Sequence, residues 1–86
     1  MKLKDNSMLK KIGNENIILP LSDHNIAVDV ILKTNEVGAF IYNCLKEEIT
    51  KEELLNKILA EYNVDETTAL NDLNLFLDLL TKKGLL

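Results

Sequence analysis

The chain has 86 residues, of which 47% are hydrophobic and 28% are charged, and its net charge is −4. This length fits one domain over residues 1–86 with a core of modest size. All 10 basic residues are lysines. Because arginine is preferred for bidentate contacts to phosphate and guanine, its absence argues against a nucleic-acid partner. No apolar run is long enough for a signal peptide or a membrane span, and the single Cys44 cannot form an internal disulfide. We therefore expect a cytoplasmic protein without a membrane partner.

The N-terminal half alternates apolar and polar residues in the manner of β-strands. Three strands are predicted, over residues 8–12, 15–21 and 27–33. Residues 1–7 are expected to form a flexible start. Gly13-Asn14 is the turn signal between the first two strands, and pairing should end at Pro20, which has no N–H to donate.

Helical periodicity begins after the third strand. Thr34 or Asn35 is expected to cap a first helix. Thr50 and Glu53 form a capping box at the start of a second helix, which we expect to end at Asn63 in a left-handed conformation. Apolar residues recur at helical spacing along both helices: Val37, Phe40, Ile41, Cys44 and Leu45 on the first, and Leu54, Leu55, Ile58, Leu59 and Tyr62 on the second.

The third helix is predicted from its cap at Asp65 to about Lys83, with Gly84 as its stop. It carries more apolar residues than one core-facing stripe needs. The stripe itself consists of Ala69, Leu70, Leu73, Phe76, Leu77 and Leu80. Leu75 and Leu79 lie outside its middle and one turn apart. Either the sheet covers them, or they border a groove or an interface for a partner.

Three strands followed by three helices predict an α+β fold with an N-terminal antiparallel sheet. In such a meander the third strand is an edge, with unpaired backbone N–H and C=O groups. An edge strand beside an apolar helix flank can accept an extended peptide as an added strand, whose alternate side chains enter the groove. The structural alternative is that Asp29 and Lys33 only protect this edge from aggregation.

No constellation of residues indicates catalysis or metal binding. His24 lies in a polar segment and Cys44 on an apolar stripe, so they form no nucleophile–base pair. The cysteine, histidine and carboxylate residues lack metal-ligand spacing. The glycines stand apart and form no phosphate loop. We therefore expect no enzymatic activity, no cofactor and no metal.

Three segments carry a resemblance to a known family: Asn35-Glu36-Val37-Gly38-Ala39, Ala60-Glu61-Tyr62-Asn63-Val64-Asp65 and Lys83-Gly84-Leu85-Leu86. In this order and spacing, they resemble the coenzyme PQQ synthesis protein D family. This family is the stand-alone form of the element that recognises precursor peptides in the biosynthesis of ribosomally synthesised, modified peptides (RiPPs). The resemblance covers roughly residues 8–86.

The resemblance implies a winged-helix-like fold and a non-catalytic function. Members of the family bind the leader segment of a precursor peptide, antiparallel to the third strand and against the third helix. Many act beside a radical SAM maturase, so the expected partners are a precursor leader peptide and a peptide-modifying enzyme. By position, the peptide-binding residues would be Val28, Val30, Ile31 and Leu32 on the strand and Asp72, Leu75, Phe76, Leu79 and Lys82 on the helix.

Two other functions fit the same order of elements. A winged-helix DNA-binding regulator would place its third helix in the major groove. The N-terminal half of that helix carries Asp65, Glu66 and Asp72, which would repel phosphate. A structural dimerisation module would bury Leu75 and Leu79 against a second copy, which makes a homodimer an open alternative.

Overall fold

The structure is a computed structural model that describes residues 1–21 and 32–86. Its elements in chain order are β1 (Ser7–Ile12), β2 (Glu15–Pro20), β3 (Leu32–Thr34), α1 (Glu36–Cys44), α2 (Lys51–Glu61) and α3 (Glu66–Lys82). The strands form one antiparallel sheet in the order β1-β2-β3. The predicted α+β fold, a three-stranded antiparallel sheet followed by three helices, is confirmed. Residues 27–31 of the predicted third strand lie outside the described residues.

The turn between β1 and β2 is the predicted Gly13-Asn14 pair. Ile12 and Glu15 face each other across it. Gly13 has a φ of +62°, whereas no described non-glycine residue has a positive φ. A positive φ at the first central residue alone indicates a type II′ turn, whose twist suits a tight hairpin. Local turn chemistry therefore sets the register of the first two strands.

One apolar row crosses the sheet on the face that meets the helices. Ile18 is fully buried and pairs with Leu9 on β1 and with Leu32 on β3. β2 ends at Pro20, as expected for a residue without an N–H. Within the described residues, β3 pairs with β2 on one side only, which agrees with its predicted position at an edge.

Side-chain caps begin all three helices where the sequence predicts them. Asn35, one of the two candidates for α1, accepts a hydrogen bond from the Gly38 N–H at 2.8 Å. Both bonds of the capping box that joins Thr50 and Glu53 measure 3.1 Å. Asp65 accepts from an amide in the first turn of α3 at 3.3 Å. Each cap satisfies an amide that would otherwise lack an intrahelical partner.

The C-terminus of α3 is also as predicted. Gly84 has a φ of +75°, and the Leu85 N–H donates to the Leu80 carbonyl at 2.9 Å. Together with the Gly84 N–H bond to Thr81, this is a Schellman motif. Because Leu85 is buried beside Leu80 in the core, the motif also anchors the end of the chain.

The end of α2 differs from the prediction, which placed a left-handed residue at Asn63. No described non-glycine residue is left-handed; instead, the chain leaves the helix at Tyr62 in an extended conformation with φ −122° and ψ 145°. The Tyr62 ring then packs edge-to-face on Phe40 of α1, with 5.5 Å between ring centroids. The helix thus ends in an extended residue whose ring makes a tertiary aromatic contact, and the expected local cap is absent.

The first residues of the chain pack against the helices, and the expected flexibility of residues 1–7 stays a prediction. Leu3 is buried, and its N–H donates to the Leu45 carbonyl at 2.9 Å. The Ser7 and Tyr42 hydroxyls lie 2.8 Å apart. Tyr42, which the predicted stripe of α1 did not include, is buried in the structure.

The core lies between the sheet and the three helices. Its fully buried side chains are Ile18, Ile41, Leu45, Leu54, Ile58, Leu73 and Leu80. Every residue of the predicted stripes of α2 and α3 is at least partly buried. The half-buried ones are Leu55, Leu59 and Tyr62 on α2 and Leu70 and Phe76 on α3. Across residues 1–21 and 32–86, none of the helices has the length and apolarity needed to cross a bilayer.

Candidate functional site

A groove of about 310 Å³ lies where β3 passes directly into α1, opposite α3. We call it the β3–α3 groove. The residues that line it are Lys33, Thr34, Asn35, Val37, Gly38, Ile41, Asp72, Leu75, Phe76 and Leu79. Half of them are aliphatic or aromatic. The groove therefore combines a strand edge, the first turns of one helix and the flank of another.

The α3 wall consists of the apolar residues that exceed the needs of the core. Leu73 and Leu77 face the interior. Leu75 is 69% exposed and Leu79 is 36% exposed, although both are large and apolar. Phe76 is half-buried between the two environments. Exposed leucines one turn apart beside a cleft are typical of a binding surface.

The floor of the groove depends on the absence of a side chain at Gly38. A Cβ built there would overlap Thr34 Oγ1 and lie 3.2 Å from Phe76 Cε1. Gly38 has an ordinary helical backbone, which any residue could adopt. Glycine is required because Thr34 and Phe76 approach too closely to leave room for a Cβ. Glycine at this position lets α1 lie directly against β3 and the ring of Phe76.

Two charged side chains border the groove, and they differ in their surroundings. Lys33 extends to the surface, where its Nζ lies 3.4 Å from a carboxylate oxygen of Glu15. Asp72 is exposed on α3 and forms no ion pair with any described residue. Of these two lining residues, Asp72 is therefore the one without an ion-pair partner among the described residues.

Four of the nine residues predicted to contact a peptide line the groove: Asp72, Leu75, Phe76 and Leu79. Leu32 is 8% exposed, belongs to the core and is not part of the lining. Lys82 is exposed in the last turn of α3 and is not part of the lining. The remaining predicted contacts, Val28, Val30 and Ile31, lie outside the described residues. Peptide contact by any of the nine stays a prediction.

The sequence-based prediction missed the contribution of α1. Val37 and Ile41 were assigned to the core stripe, yet both border the groove, and Ile41 is also fully buried. Thr34 and Asn35 were considered only as caps. The available signal was the direct junction of a strand and a helix without a loop, because this junction places the first turn of the helix beside the strand edge.

The described residues that line the groove include neither a cysteine nor a histidine. Cys44 lies elsewhere, and burial raises the pKa of its thiol despite the nearby Lys57, which lowers the thiolate fraction at neutral pH. Among residues 1–21 and 32–86, no cluster of at least three histidine, cysteine or carboxylate side chains could hold a metal ion. The described lining offers apolar contact, backbone hydrogen-bonding groups, the Lys33 ammonium group and the Asp72 carboxylate.

Comparison with known proteins gives two matches. The profile of the family described as coenzyme PQQ synthesis protein D (PqqD) matches residues 15–86. Among solved structures, "TbiB1 in Complex with the TbiA(beta) Leader Peptide" is similar, with a TM-score of 0.74 and 33% sequence identity. The match covers 99% of this chain and 93% of that chain. No curated protein gives a significant match. The chain therefore belongs to the coenzyme PQQ synthesis protein D (PqqD) family.

Proposed function

We propose that this protein is a non-catalytic adaptor that binds the leader segment of a ribosomally made precursor peptide in the β3–α3 groove. The observation that carries the proposal is the exposed apolar flank of α3, formed by Leu75 and Leu79, beside an edge strand. The similarity to TbiB1, which was solved with a leader peptide, and membership of the PqqD family support it.

The dimensions of the groove suit an extended peptide. Leu75 and Leu79 are ~6 Å apart along the helix axis at 1.5 Å per residue. Inward side chains of a β-strand recur every ~6.7 Å. A peptide that runs along this flank would thus place one inward side chain against the wall that both leucines form. Its backbone would hydrogen-bond the free edge of β3, which tolerates many sequences, so the pockets must provide specificity.

The adaptor acts by tethering. A bound leader holds the attached core peptide near the modifying enzyme, and a short flexible link raises the effective concentration of that core to roughly the mM range. We propose that no bond is broken in this domain. The enzyme partner that the family resemblance favours is a radical SAM maturase or another peptide-modifying enzyme, in the cytoplasm where the precursor is made.

A titration of the groove tests the proposal. The probes are fluorescent synthetic peptides that span the leaders of short precursors encoded beside this gene. Leu75→Asp should weaken binding by about 1–3 kcal/mol, because it forces a charge into a desolvated contact. The matched control is Asn71→Asp, which adds the same charge at an exposed position of α3 outside the groove. Equal affinity of both folded variants for the leader would contradict the proposal.

A homodimer is the second candidate, because the exposure of Leu75 also favours self-association. Sedimentation equilibrium separates the two functions. A monomer that binds the leader with unchanged protein mass would support the adaptor. A dimer that Leu75→Asp dissociates, together with no leader binding by the wild type, would support the dimerisation module.

A further inference from the structure

We infer that the β3–α3 groove selects leaders with a basic side chain two residues away from an apolar anchor, and that Asp72 recognises the basic side chain. This inference rests on the proposed function, because it specifies what the same groove accepts. Asp72 would act as a specificity determinant, and the apolar wall formed by Leu75 and Leu79 would supply most of the affinity.

Asp72 lines the groove, and no described residue forms an ion pair with it. The other charged lining residue, Lys33, already lies 3.4 Å from Glu15, whereas Asp72 forms no ion pair within the described ranges. Helical neighbours that could pair with it stand three or four residues away. Those positions hold Thr68, Ala69, Leu75 and Phe76, none of which is cationic.

No described residue outside the lining lies within ion-pair distance of Asp72 either. Residues 22–31 contain neither lysine nor arginine. Lys82 is on the same helix but ~15 Å farther along its axis. That separation exceeds the Debye length of ~8 Å at physiological ionic strength, so its effect on Asp72 is largely screened. A cation carried by the peptide would therefore find an uncompensated carboxylate at this end of the groove.

The spacing follows from the two periodicities. Leu75 and Leu79 stand three and seven residues beyond Asp72, which corresponds to ~4.5 and ~10.5 Å along the helix. The midpoint of this apolar wall is thus ~7.5 Å from Asp72. Inward side chains of an extended peptide are ~6.7 Å apart. The basic residue and the apolar anchor would therefore be successive inward-facing residues, separated by one outward-facing residue.

The expected effect is moderate, because Asp72 is exposed. An ion pair in such surroundings changes affinity by about 1.5- to fivefold and weakens as salt is added. It would therefore decide between leaders that share an apolar anchor, and it would contribute little to total affinity. A glutamate in place of the basic residue would be disfavoured by repulsion from the same carboxylate.

The test selects a phage-displayed library of short random peptides on the wild-type protein, Asp72→Asn and Asp72→Lys. Selection at about pH 8 keeps histidine neutral. Asp78→Asn is the matched control, because Asp78 is exposed on α3 and does not line the groove. Selected peptides are then synthesised with lysine, glutamine or glutamate at the position of the basic residue, and their Kd values are measured by fluorescence anisotropy. Loss of binding to Leu75→Asp shows that a peptide binds in the groove.

The inference predicts enrichment of lysine or arginine two positions from an apolar residue on the wild type and on Asp78→Asn. This preference should vanish on Asp72→Asn and change to glutamate or aspartate on Asp72→Lys. Equal Kd values for the lysine and glutamine peptides on the wild type, with binding still lost on Leu75→Asp, would overturn the inference and leave the proposed function intact. If no selected peptide is sensitive to Leu75→Asp, the proposed function fails and the inference fails with it.

Discussion

Replacement of Gly38 by alanine should destabilise the domain, although alanine is the better helix former. A Cβ at this position would overlap Thr34 Oγ1, lie 3.0 Å from Thr34 Cβ and lie 3.2 Å from Phe76 Cε1. These contacts are closer than well-packed side chains tolerate. Either the Thr34 side chain must rotate, or α1 must move away from β3 and open the floor of the groove.

The magnitude follows from two opposing effects. Overpacking of a filled site typically costs about 1–3 kcal/mol, whereas glycine to alanine within a helix gains about 0.5–1 kcal/mol. We expect Gly38→Ala to lower the free energy of unfolding by about 1–2 kcal/mol. Addition of Thr34→Ala removes the nearest obstacle, Oγ1, and should recover about 1 kcal/mol as a coupling between the two substitutions.

Urea denaturation followed by circular dichroism measures this cycle, with Asn43→Ala on the exposed side of α1 as the control for helix propensity. If Gly38→Ala proves as stable as the wild type, or if the double variant shows no coupling, the close contact between α1 and β3 does not constrain this site. The explanation of the groove floor would then be wrong.

Three further predictions concern the core, the cap of α3 and the cysteine. Leu73→Ala should lower the free energy of unfolding by about 2–5 kcal/mol in urea denaturation, because Leu73 is fully buried. Leu75→Ala, at a 69% exposed position, should change that free energy by less than about 0.5 kcal/mol, and equal losses for the two variants would contradict this prediction. Hydrogen bonding from Thr68 lowers the pKa of Asp65; the carboxylate thus stabilises the fold above its unfolded-state pKa, and this contribution is lost as pH falls through the lower folded-state pKa. Asp65→Asn retains a capping oxygen without titrating, so its thermal stability should fall less steeply with acid below about pH 4, and an unchanged acid profile would refute the role of this cap. Burial raises the pKa of the Cys44 thiol, so iodoacetamide should alkylate it more slowly in the folded protein than in urea, and equal rates would show that burial does not protect it.

The features that the sequence predicted correctly depend mostly on local chemistry. Side-chain caps at Asn35, Thr50 and Asp65 involve residues within the same turn, and Gly84 ends α3 through its own positive φ. The exposed flank of α3 was predictable because helical periodicity fixes which side chains share a face. Leu75 and its neighbour one turn later therefore required no tertiary information.

The features that the sequence could not predict depend on contacts between distant segments. Asn63 has a local preference for a left-handed end, but the chain leaves α2 extended at Tyr62, whose ring packs on Phe40. Packing of the first residues follows from a hydrogen bond between Leu3 and Leu45, which no local pattern encodes. The floor at Gly38 likewise depends on how α1 and β3 meet.

The most direct test of the central claim is a titration of isotope-labelled protein with a cognate leader, followed by NMR of the backbone amides. The proposed site predicts the largest shifts at the β3 amides Leu32–Thr34 and along residues 72–79 of α3, with little change in α2 (Lys51–Glu61). Slower hydrogen exchange of the Lys33 amide or its neighbours should accompany binding, because an added strand shields the edge. Saturable binding that shifts α2 and leaves both β3 and residues 72–79 unchanged would show that the leader binds elsewhere.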